Sequence, residues 1–173
     1  MNKKIMYIVT ILSTALLLFL DQIAKYLAVL HLKGQATIPI IKNVFELQYL
    51  ENQGAAFGIM QGKKTFFVIG TLIFLVIVVI LYHNIPLTKR FTPIRIVAVL
   101  IVAGAIGNMI DRVVHQYVID FFYFKLINFP IFNVADIYVV VACILFILLM
   151  LFYYKEEELG QIFPFMKNKK AEE

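Results

Sequence analysis

The sequence predicts an all-α membrane protein with four transmembrane helices and a small β-sheet between the first and second of them. Hydrophobic residues make up 62% of the 173 positions, far above the roughly 45 to 50% of soluble domains. Mean hydropathy is +0.87, and four apolar runs each approach the roughly 20 residues with which a helix crosses a bilayer. The segment after the first run instead alternates aromatic or β-branched residues with polar ones, which favours strands.

The four predicted spans define a transmembrane domain at residues 1–155. They cover about residues 5–28, 66–82, 94–110 and 134–154. The first span follows Lys3 and Lys4, as the apolar region of a secretory signal would. No small-residue cleavage site follows it, however, and the helical pattern continues through DQIAKYLAVL. We therefore interpret this segment as a retained helix.

Within the first helix, Asp21 and Lys25 are four residues apart with the acid first. This order favours an ion pair on one face of the helix. The spacing leaves several interpretations open. The pair could neutralise itself at the outer end of the helix, it could position a substrate, or it could support an acidic site across the bundle.

Residues 32–60 form the predicted β region. The turn-forming stretches KGQ, KN and ENQG surround NVFELQYL, whose alternation indicates short strands at the membrane interface. Asn52 is followed by Gly54 and Gly58, and such small residues let backbone approach another backbone or a ligand. An ordinary junction between a loop and a helix would produce the same pattern.

The charges of the loops predict the topology. The lysines before the first span fall on the same side of a four-span protein as Lys89, Arg90 and Arg95. The positive-inside rule then places both termini in the cytoplasm. Residues 156–173, which are rich in Glu and Lys, become a solvated cytoplasmic tail. With this topology the acids at the helix ends gather at the outer face of the membrane.

The third predicted helix places Gly104, Asn108 and Arg112 on one face, because they recur every four residues. Gly104 would allow a neighbouring helix to come close, and Asn108 and Arg112 would then face the enclosed space. Asp111 is available to pair with an arginine or to cap free backbone. A structural ion pair at the helix end therefore accounts for the Asp-Arg dipeptide without any chemistry.

Two acids farther along the chain are the candidates for catalysis. Asn133 and Asp136 have the spacing of a capping box at the start of the fourth helix, which gives Asp136 a structural role. Asp120, in VIDFF, has apolar neighbours and no local base, an unusual setting for a surface carboxylate. If the two carboxylates meet, both cannot easily ionise, so one keeps a proton while the other activates water. That asymmetry suits peptide hydrolysis without a metal.

Composition also argues against several other classes of protein. The formal net charge is +5, but the basic residues are scattered through short loops. We therefore expect no nucleic-acid partner, and anionic lipid headgroups are the expected counter-charge. Cys143 is the only cysteine, and the three histidines are far apart in the sequence. We expect no internal disulfide, no metal site and no other cofactor.

Five motifs, in chain order, resemble those of the lipoprotein signal peptidase (signal peptidase II) family of bacterial aspartic endopeptidases. They are DQxxK at 21–25, NxGxAFG at 52–58, GNxxDR at 107–112, VxDF at 118–121 and FNxAD at 132–136. The resemblance covers about residues 5–154 and implies four membrane helices with a small extracytoplasmic sheet that serves as a cradle. It also implies that Asp120 and Asp136 are the catalytic dyad.

The resemblance implies the rest of the site, the substrate and the location. The residues that would shape the site are Asp21, Lys25, Asn52, Gly54, Asn108, Asp111, Arg112, Asn133 and Ala135. The substrate would be a prolipoprotein with a diacylglyceryl group on its lipobox cysteine, cut just before that cysteine. We further expect contacts with membrane phospholipids, inhibition by globomycin-type peptides and a monomeric state. The location would be the bacterial cytoplasmic membrane, with the active site near the outer face.

The main alternative is a small ion- or proton-coupled transporter, in which the acids would bind and release cations. That function predicts charges near the middle of the membrane and paired repeats. The acids here cluster at one interface, and the helices show no repeat. A third class is a non-catalytic assembly factor, whose carboxylates would serve only as caps and ion pairs.

Overall fold

The computed structural model describes residues 2–54 and 63–163. Within these ranges the helices are α1 (Lys3–Leu32), α2 (Lys64–Asn84), α3 (Thr92–His115), α4 (Val134–Leu148) and α5 (Glu156–Ile162). The strands are β1 (Ile38–Ile41), β2 (Phe45–Asn52) and β3 (Val118–Tyr123). Short 3-10 turns lie at Lys89–Phe91 and Lys125–Ile127, and a π-helical turn at Leu149–Tyr153 extends α4.

Four helical segments of the described chain are long and apolar enough to cross a membrane, which confirms the predicted fold class. They are Lys3–Leu32, Lys64–Asn84, Lys89–His115 and Val134–Tyr153. Their outward faces carry large exposed apolar side chains, among them Ile73 and Val79 on α2. A helix that is apolar on all sides is suited to lipid rather than water.

Helix α3 is the centre of the bundle, since α1, α2 and α4 all pack against it. The contact with α4 is close because Gly104 has no side chain. A Cβ atom at that position would lie 2.6 Å from the carbonyl oxygen of Ala135 and 2.7 Å from a methyl group of Val139. The predicted close approach at Gly104 is therefore confirmed, and it brings the last turns of α3 against the start of α4.

The sheet has the antiparallel order β1-β2-β3, so its third strand comes from the chain after α3. The sequence pattern predicted strands only in residues 32–60 and none around Asp120. In the structure Asp120 lies within β3, opposite Leu50 of β2, while Asn52 is opposite Val118. The β-branched and aromatic residues of VIDFFY account for the strand that this segment forms.

At the other end of the bundle, α5 packs back onto the membrane helices. Ile162 is 1% exposed in an apolar cluster that includes Met6 and Tyr82. The guanidinium of Arg90 binds both carboxylate oxygens of Glu158, at 2.9 and 3.1 Å. Part of the segment that we expected to be a solvated tail is therefore packed against the bundle, because Ile162 supplies an apolar anchor. Glu156, Glu157 and Gln161 of the same segment are exposed. The rest of the predicted tail lies outside the described residues.

Candidate active site

A groove with a volume of about 620 Å³ lies where the sheet meets the ends of α3 and α4. Its polar end is formed by Asn52, Asn108, Arg112, Asp120 and Asp136. Its remaining wall is apolar and comes mainly from the loop after β3 and the lipid-facing side of α4. The apolar residues of this wall include Phe124, Phe129, Ile131, Phe132, Ile137 and Val140. The groove therefore joins a polar pocket to an apolar surface.

Asp120 is held at the polar end by two amide groups and is only 1% exposed. Its Oδ1 accepts a hydrogen bond from Asn133 Nδ2 at 2.6 Å, and its Oδ2 accepts one from Asn52 Nδ2 at 2.9 Å. Burial, followed by the nearby charge of Asp136, raises the pKa of Asp120 to about 7. The carboxyl group is therefore able to carry a proton near neutral pH.

Asp136 has two separate structural contacts, one for each carboxylate oxygen. Its Oδ2 accepts the backbone N–H of Asn133 at 3.0 Å, and Asn133 Oδ1 accepts the backbone N–H of Asp136 at 3.1 Å. This reciprocal pair is the capping box that the spacing indicated. Asp136 Oδ1 instead accepts a hydrogen bond from Asn108 Nδ2 at 2.8 Å. Capping therefore uses Oδ2 of Asp136, while Oδ1 is hydrogen-bonded to Asn108 at the polar end of the groove.

Asn133 connects the two acids and is fully buried. Its Nδ2 donates to Asp120 as well as to Asn108 Oδ1, the latter at 3.1 Å. Its Oδ1 and backbone N–H are both used by Asp136. One asparagine at the start of α4 therefore sets the position of a carboxylate on β3 and of another on α4.

Behind this layer lies a buried charge network centred on Lys25. Its Nζ lies 2.9 Å from Asp21 Oδ2, 2.9 Å from Asp111 Oδ2 and 3.0 Å from Asn108 Oδ1. The three charged side chains are at most 2% exposed. Of the three interpretations of the Asp21–Lys25 pair, the structure therefore favours the one in which the pair supports the acidic site on the neighbouring elements. Lys25 orients Asn108, which in turn donates to Asp136.

The two aspartates of this network also bind backbone in neighbouring elements. Asp21 Oδ1 accepts the N–H of Ala135 at 2.9 Å, and Asp111 Oδ2 accepts the N–H of Ile119 at 3.2 Å. Asp111 therefore caps backbone, as one alternative proposed, but its ionic partner is a lysine rather than an arginine. These contacts fix the start of α4 and the start of β3 to the membrane helices.

Arg112 connects α3 to the end of β2. Its Nη2 donates to the carbonyl oxygen of Gly54 at 3.1 Å, and its guanidinium lies 4.8 Å from the centre of the Phe67 ring. This arrangement places Gly54 and Asn52 beside the groove. The residues Ala56, Phe57 and Gly58 of the NxGxAFG motif lie outside the described residues.

Gln22 was not among the residues predicted to form the site. Its Nε2 donates to Asp21 Oδ2 at 3.2 Å, an oxygen that Lys25 also binds, and to Asp111 Oδ1 at 3.1 Å, which Lys25 does not contact. Its place in DQxxK was the available signal. Glu46 was also not among the residues predicted to form the site. It is 6% exposed and pairs with Lys125 at 2.8 Å, which connects the loop after β3 to the sheet.

Every residue that was predicted to form the site belongs to this connected set of contacts. Within residues 2–54 and 63–163, no group of three or more His, Cys, Asp or Glu side chains is placed to hold a metal ion. Asp21, Asp111, Asp120 and Asp136 gather at one end of the bundle and not at its middle. This arrangement gives no support to the transporter alternative, which requires charges along a path across the membrane.

Comparison with known proteins identifies the family. The family model described as Signal peptidase (SPase) II matches residues 13–152. A lipoprotein signal peptidase of Caldanaerobacter subterraneus subsp. tengcongensis is 44% identical over 136 residues, which are 78% of this chain and 90% of that protein. One from Clostridioides difficile is also 44% identical over 136 residues, covering 78% and 88%.

A solved structure described as a bacterial membrane enzyme structure by the in meso method at 2.3 Å resolution has the same fold. Its TM-score is 0.74 at 34% sequence identity, and the match covers 83% of this chain and 87% of the other. The motifs, the fold and these relatives agree on one assignment. The chain belongs to the signal peptidase II family of membrane-bound aspartic endopeptidases, which process the signal peptides of lipoproteins.

Proposed function

We propose that Asp120 and Asp136 are the catalytic dyad of this peptidase. We also propose that its substrate is a diacylglyceryl-modified prolipoprotein, cut just before the lipidated cysteine. The observation that carries the proposal is the position of the two carboxylates. They come from different elements, share Asn133 as a hydrogen-bonding partner, and lie at the polar end of an apolar groove.

The two acids have different roles in this mechanism. Asp120 is the protonated member, because burial raises its pKa to about 7. Asp136 is the anionic member, since it lies in the first turn of α4, where the helix dipole favours negative charge. It also accepts hydrogen bonds from a backbone N–H and from Asn108. The pair as a whole holds one proton, and its titration is shared between the two groups.

The hydrolysis then follows from general acid and base catalysis. Asp136 takes a proton from a water molecule, whose oxygen attacks the carbonyl carbon of the scissile peptide bond. Asp120 donates its proton to the carbonyl oxygen, which becomes a hydroxyl group in the tetrahedral intermediate. When the C–N bond breaks, the proton held by Asp136 passes to the leaving nitrogen. The hydroxyl proton returns to Asp120, so the dyad ends with the single proton with which it began.

The shape of the groove supports a lipid-modified substrate. A peptide alone needs only the polar end, where Asn52 and Arg112 can bind backbone carbonyls. The apolar wall that includes Phe129 and Val140 suits acyl chains that remain in the membrane while the peptide bond is cut. Globomycin-type inhibitors would occupy the same polar end. We propose that the enzyme works as a monomer surrounded by phospholipid.

The proposed location is the bacterial cytoplasmic membrane with both termini in the cytoplasm and the dyad near the outer face. The end of the bundle that carries Lys3, Lys89 and Arg90 would then face the cytoplasm, as the positive-inside rule requires. The dyad lies at the opposite end of α1, because Lys25 is 22 residues beyond Lys3 and a helix rises about 1.5 Å per residue.

The test is cleavage of a purified, diacylglyceryl-modified prolipoprotein by Asp120→Asn and Asp136→Asn variants in detergent. Both should lose cleavage by a factor of at least about 10² to 10⁴, the usual contribution of a general acid or base. The matched control is Glu51→Gln, the same acid-to-amide change on the strand that holds Asn52. Glu51 is exposed and pairs with Lys33, so this variant should cleave normally. Normal cleavage by either Asp variant would exclude the dyad.

The same experiment tests the substrate class. The unlipidated form of the same prolipoprotein is presented to the unchanged enzyme, and cleavage products are identified by mass. We expect a single cut before the cysteine with the lipidated form and a much slower reaction without the lipid. Equal rates for the two forms would contradict the role of the apolar wall while leaving the dyad intact.

A further inference from the structure

A second groove lies between α1 and α2, with α3 as its floor, and its volume is about 510 Å³. Its walls come from residues on three helices that are mostly small or apolar. On α1 and α2 they include Ile11, Thr14, Ala15, Leu18, Val78 and Val79. The floor is formed by Ala98, Val99 and Val102. None of these residues belongs to the acidic site, which lies toward the other end of α1.

Polar groups are concentrated at one end of this second groove. The hydroxyl group of Tyr7 is hydrogen-bonded to His83 Nδ1 at 3.0 Å. One turn farther along α1, the hydroxyl group of Thr10 is hydrogen-bonded to that of Tyr82. The rings of Tyr7 and Tyr82 are also in contact, with their centres 5.9 Å apart. The groove is therefore amphipathic along its length, with hydroxyl and imidazole groups at the end nearest the start of α1.

Two lysines lie just beyond the polar end. Lys3 precedes Tyr7 by four residues and Lys4 precedes Ile11 by seven, so helix geometry places both near the edges of the α1 face that lines the groove. Both lysines are exposed. Helical side chains point toward the N-terminus, and long basic chains extend to the headgroup level. Two positive charges thus lie next to the mouth of an apolar groove.

We propose that this second groove binds one anionic phospholipid. An acyl chain fills the apolar part, the glycerol region lies level with Tyr7 and His83, and the phosphate group pairs with Lys3 and Lys4. The apolar part suits an acyl chain better than water, because Thr14 supplies its one side-chain hydroxyl group and the other side chains of these walls are apolar. A neutral lipid would fill the groove equally well, but it would not compensate the two lysines. The positive charges of the two lysines therefore favour an anionic over a neutral lipid.

The test is native mass spectrometry of the purified full chain in a neutral detergent. Phosphatidylglycerol is compared with phosphatidylcholine of the same acyl chains, and the fraction of protein with one lipid bound is measured against lipid concentration. We expect one phosphatidylglycerol to bind about 30-fold more tightly, equivalent to about 2 kcal/mol for two lysines near the phosphate. Equal binding of the two lipids would overturn the proposal.

Matched variants locate the site. Lys3→Gln combined with Lys4→Gln should remove the preference for phosphatidylglycerol. Lys89 lies at the same end of the bundle, but it belongs to the turn before α3 and not to the α1 face that lines the groove. Lys89→Gln should therefore leave the preference nearly unchanged. Ala15→Phe fills the groove from its exposed side and should weaken binding of both lipids. A preference that survives the double lysine change, or that Lys89→Gln reduces as much, would contradict the assignment.

Two controls distinguish a lipid in the second groove from a second protein copy and from the acidic site. If native mass spectra show a dimer that Ala15→Phe dissociates, the occupant is a second copy of the chain and the lipid proposal fails. Lipid binding is also measured on the Asp120→Asn variant, where it should be unchanged. Unchanged binding by this variant would show that the lipid site does not depend on the proposed catalytic dyad, because the binding measurement requires no cleavage. If Ala15→Phe is not monodisperse, Ala15→Leu, which partly fills the same space, is used in its place.

Discussion

Replacement of Lys25 by methionine should strongly destabilise the protein without changing any residue that lines the groove of Asp120 and Asp136. Lys25 is in contact with Asp21 and Asp111, each at 2.9 Å, and all three side chains are at most 2% exposed. Methionine retains most of the aliphatic volume but leaves two aspartates buried without their counter-charge. Unpaired buried charges are among the most costly defects that a substitution can create.

The expected magnitude follows from this geometry. Removal of one partner from a buried ion pair costs about 3 to 5 kcal/mol. For a chain of this size, 1 kcal/mol corresponds to a shift in melting temperature of about 2 to 4 °C, so the predicted decrease is about 6 to 20 °C. Because Lys25 also binds Asn108 Oδ1, the donor to Asp136 becomes less fixed. Cleavage activity should therefore fall even below the new melting temperature.

The assay is the temperature at which half of the detergent-solubilised protein loses its monodisperse peak after heating. The control is Lys33→Met, the same chemical change in an exposed pair with Glu51, whose side chains are 52% and 36% exposed. Exposed pairs contribute little to stability because water and salt screen them, so this variant should melt within a few degrees of the parent.

A triple variant tests the cause. Asp21→Asn, Lys25→Met and Asp111→Asn together remove all three charges, while the asparagine oxygens can still accept the backbone N–H groups of Ala135 and Ile119. This variant should recover much of the stability that Lys25→Met loses. An unchanged melting temperature for Lys25→Met would refute the reasoning, and so would a triple variant that is less stable than the single one.

Three further predictions concern individual contacts. The pKa of Asp120 is raised from 3.8 to about 7, so its contribution to stability is complete below about pH 4 and is lost as the pH rises through 7. Asp120→Asn should flatten this part of the melting-temperature profile, and an unaltered slope would contradict the assignment. Gly104→Val should prevent folding, judged by yield of monodisperse protein, since a Cβ there lies 2.6 Å from the Ala135 carbonyl oxygen. Gly70→Ala, with nothing within 4 Å, should be tolerated. Ile162→Asp should detach α5 and increase proteolysis of the C-terminal segment, whereas unchanged protection would show that the buried Ile162 is dispensable.

The sequence was most informative where a residue had a local reason for its position. The Asp21–Lys25 spacing predicted a real ion pair, and the Asn133–Asp136 spacing predicted a real capping box. Each of these depends on helix periodicity, which is a property of a few neighbouring residues. The role of Gly104 as a point of close contact was predictable for the same reason, because a missing side chain permits close packing whatever the neighbour is.

Local reasoning failed where the partner is remote in the chain. Asp111 is next to Arg112, yet its ionic partner is Lys25 from another helix. Gln22 received no role, although it satisfies two aspartates of the network. Ile162 lies in a segment with the composition of a solvated tail, and only the bundle provides the apolar cluster that buries it.

The amino-acid sequence alone determined the four membrane helices, the family and the set of candidate side chains. These properties follow from hydropathy, helical period and motif order, all of which are read along one chain. Tertiary structure decided which of those side chains touch and how deeply each is buried. It placed Asp120 on a third strand and made Asn133 the common partner of both acids. The side chain of Asn133 caps α4 through its Oδ1 and also donates to Asp120 through its Nδ2. Distances between remote segments depend on packing, and packing energies are sums over the whole fold that no local pattern contains.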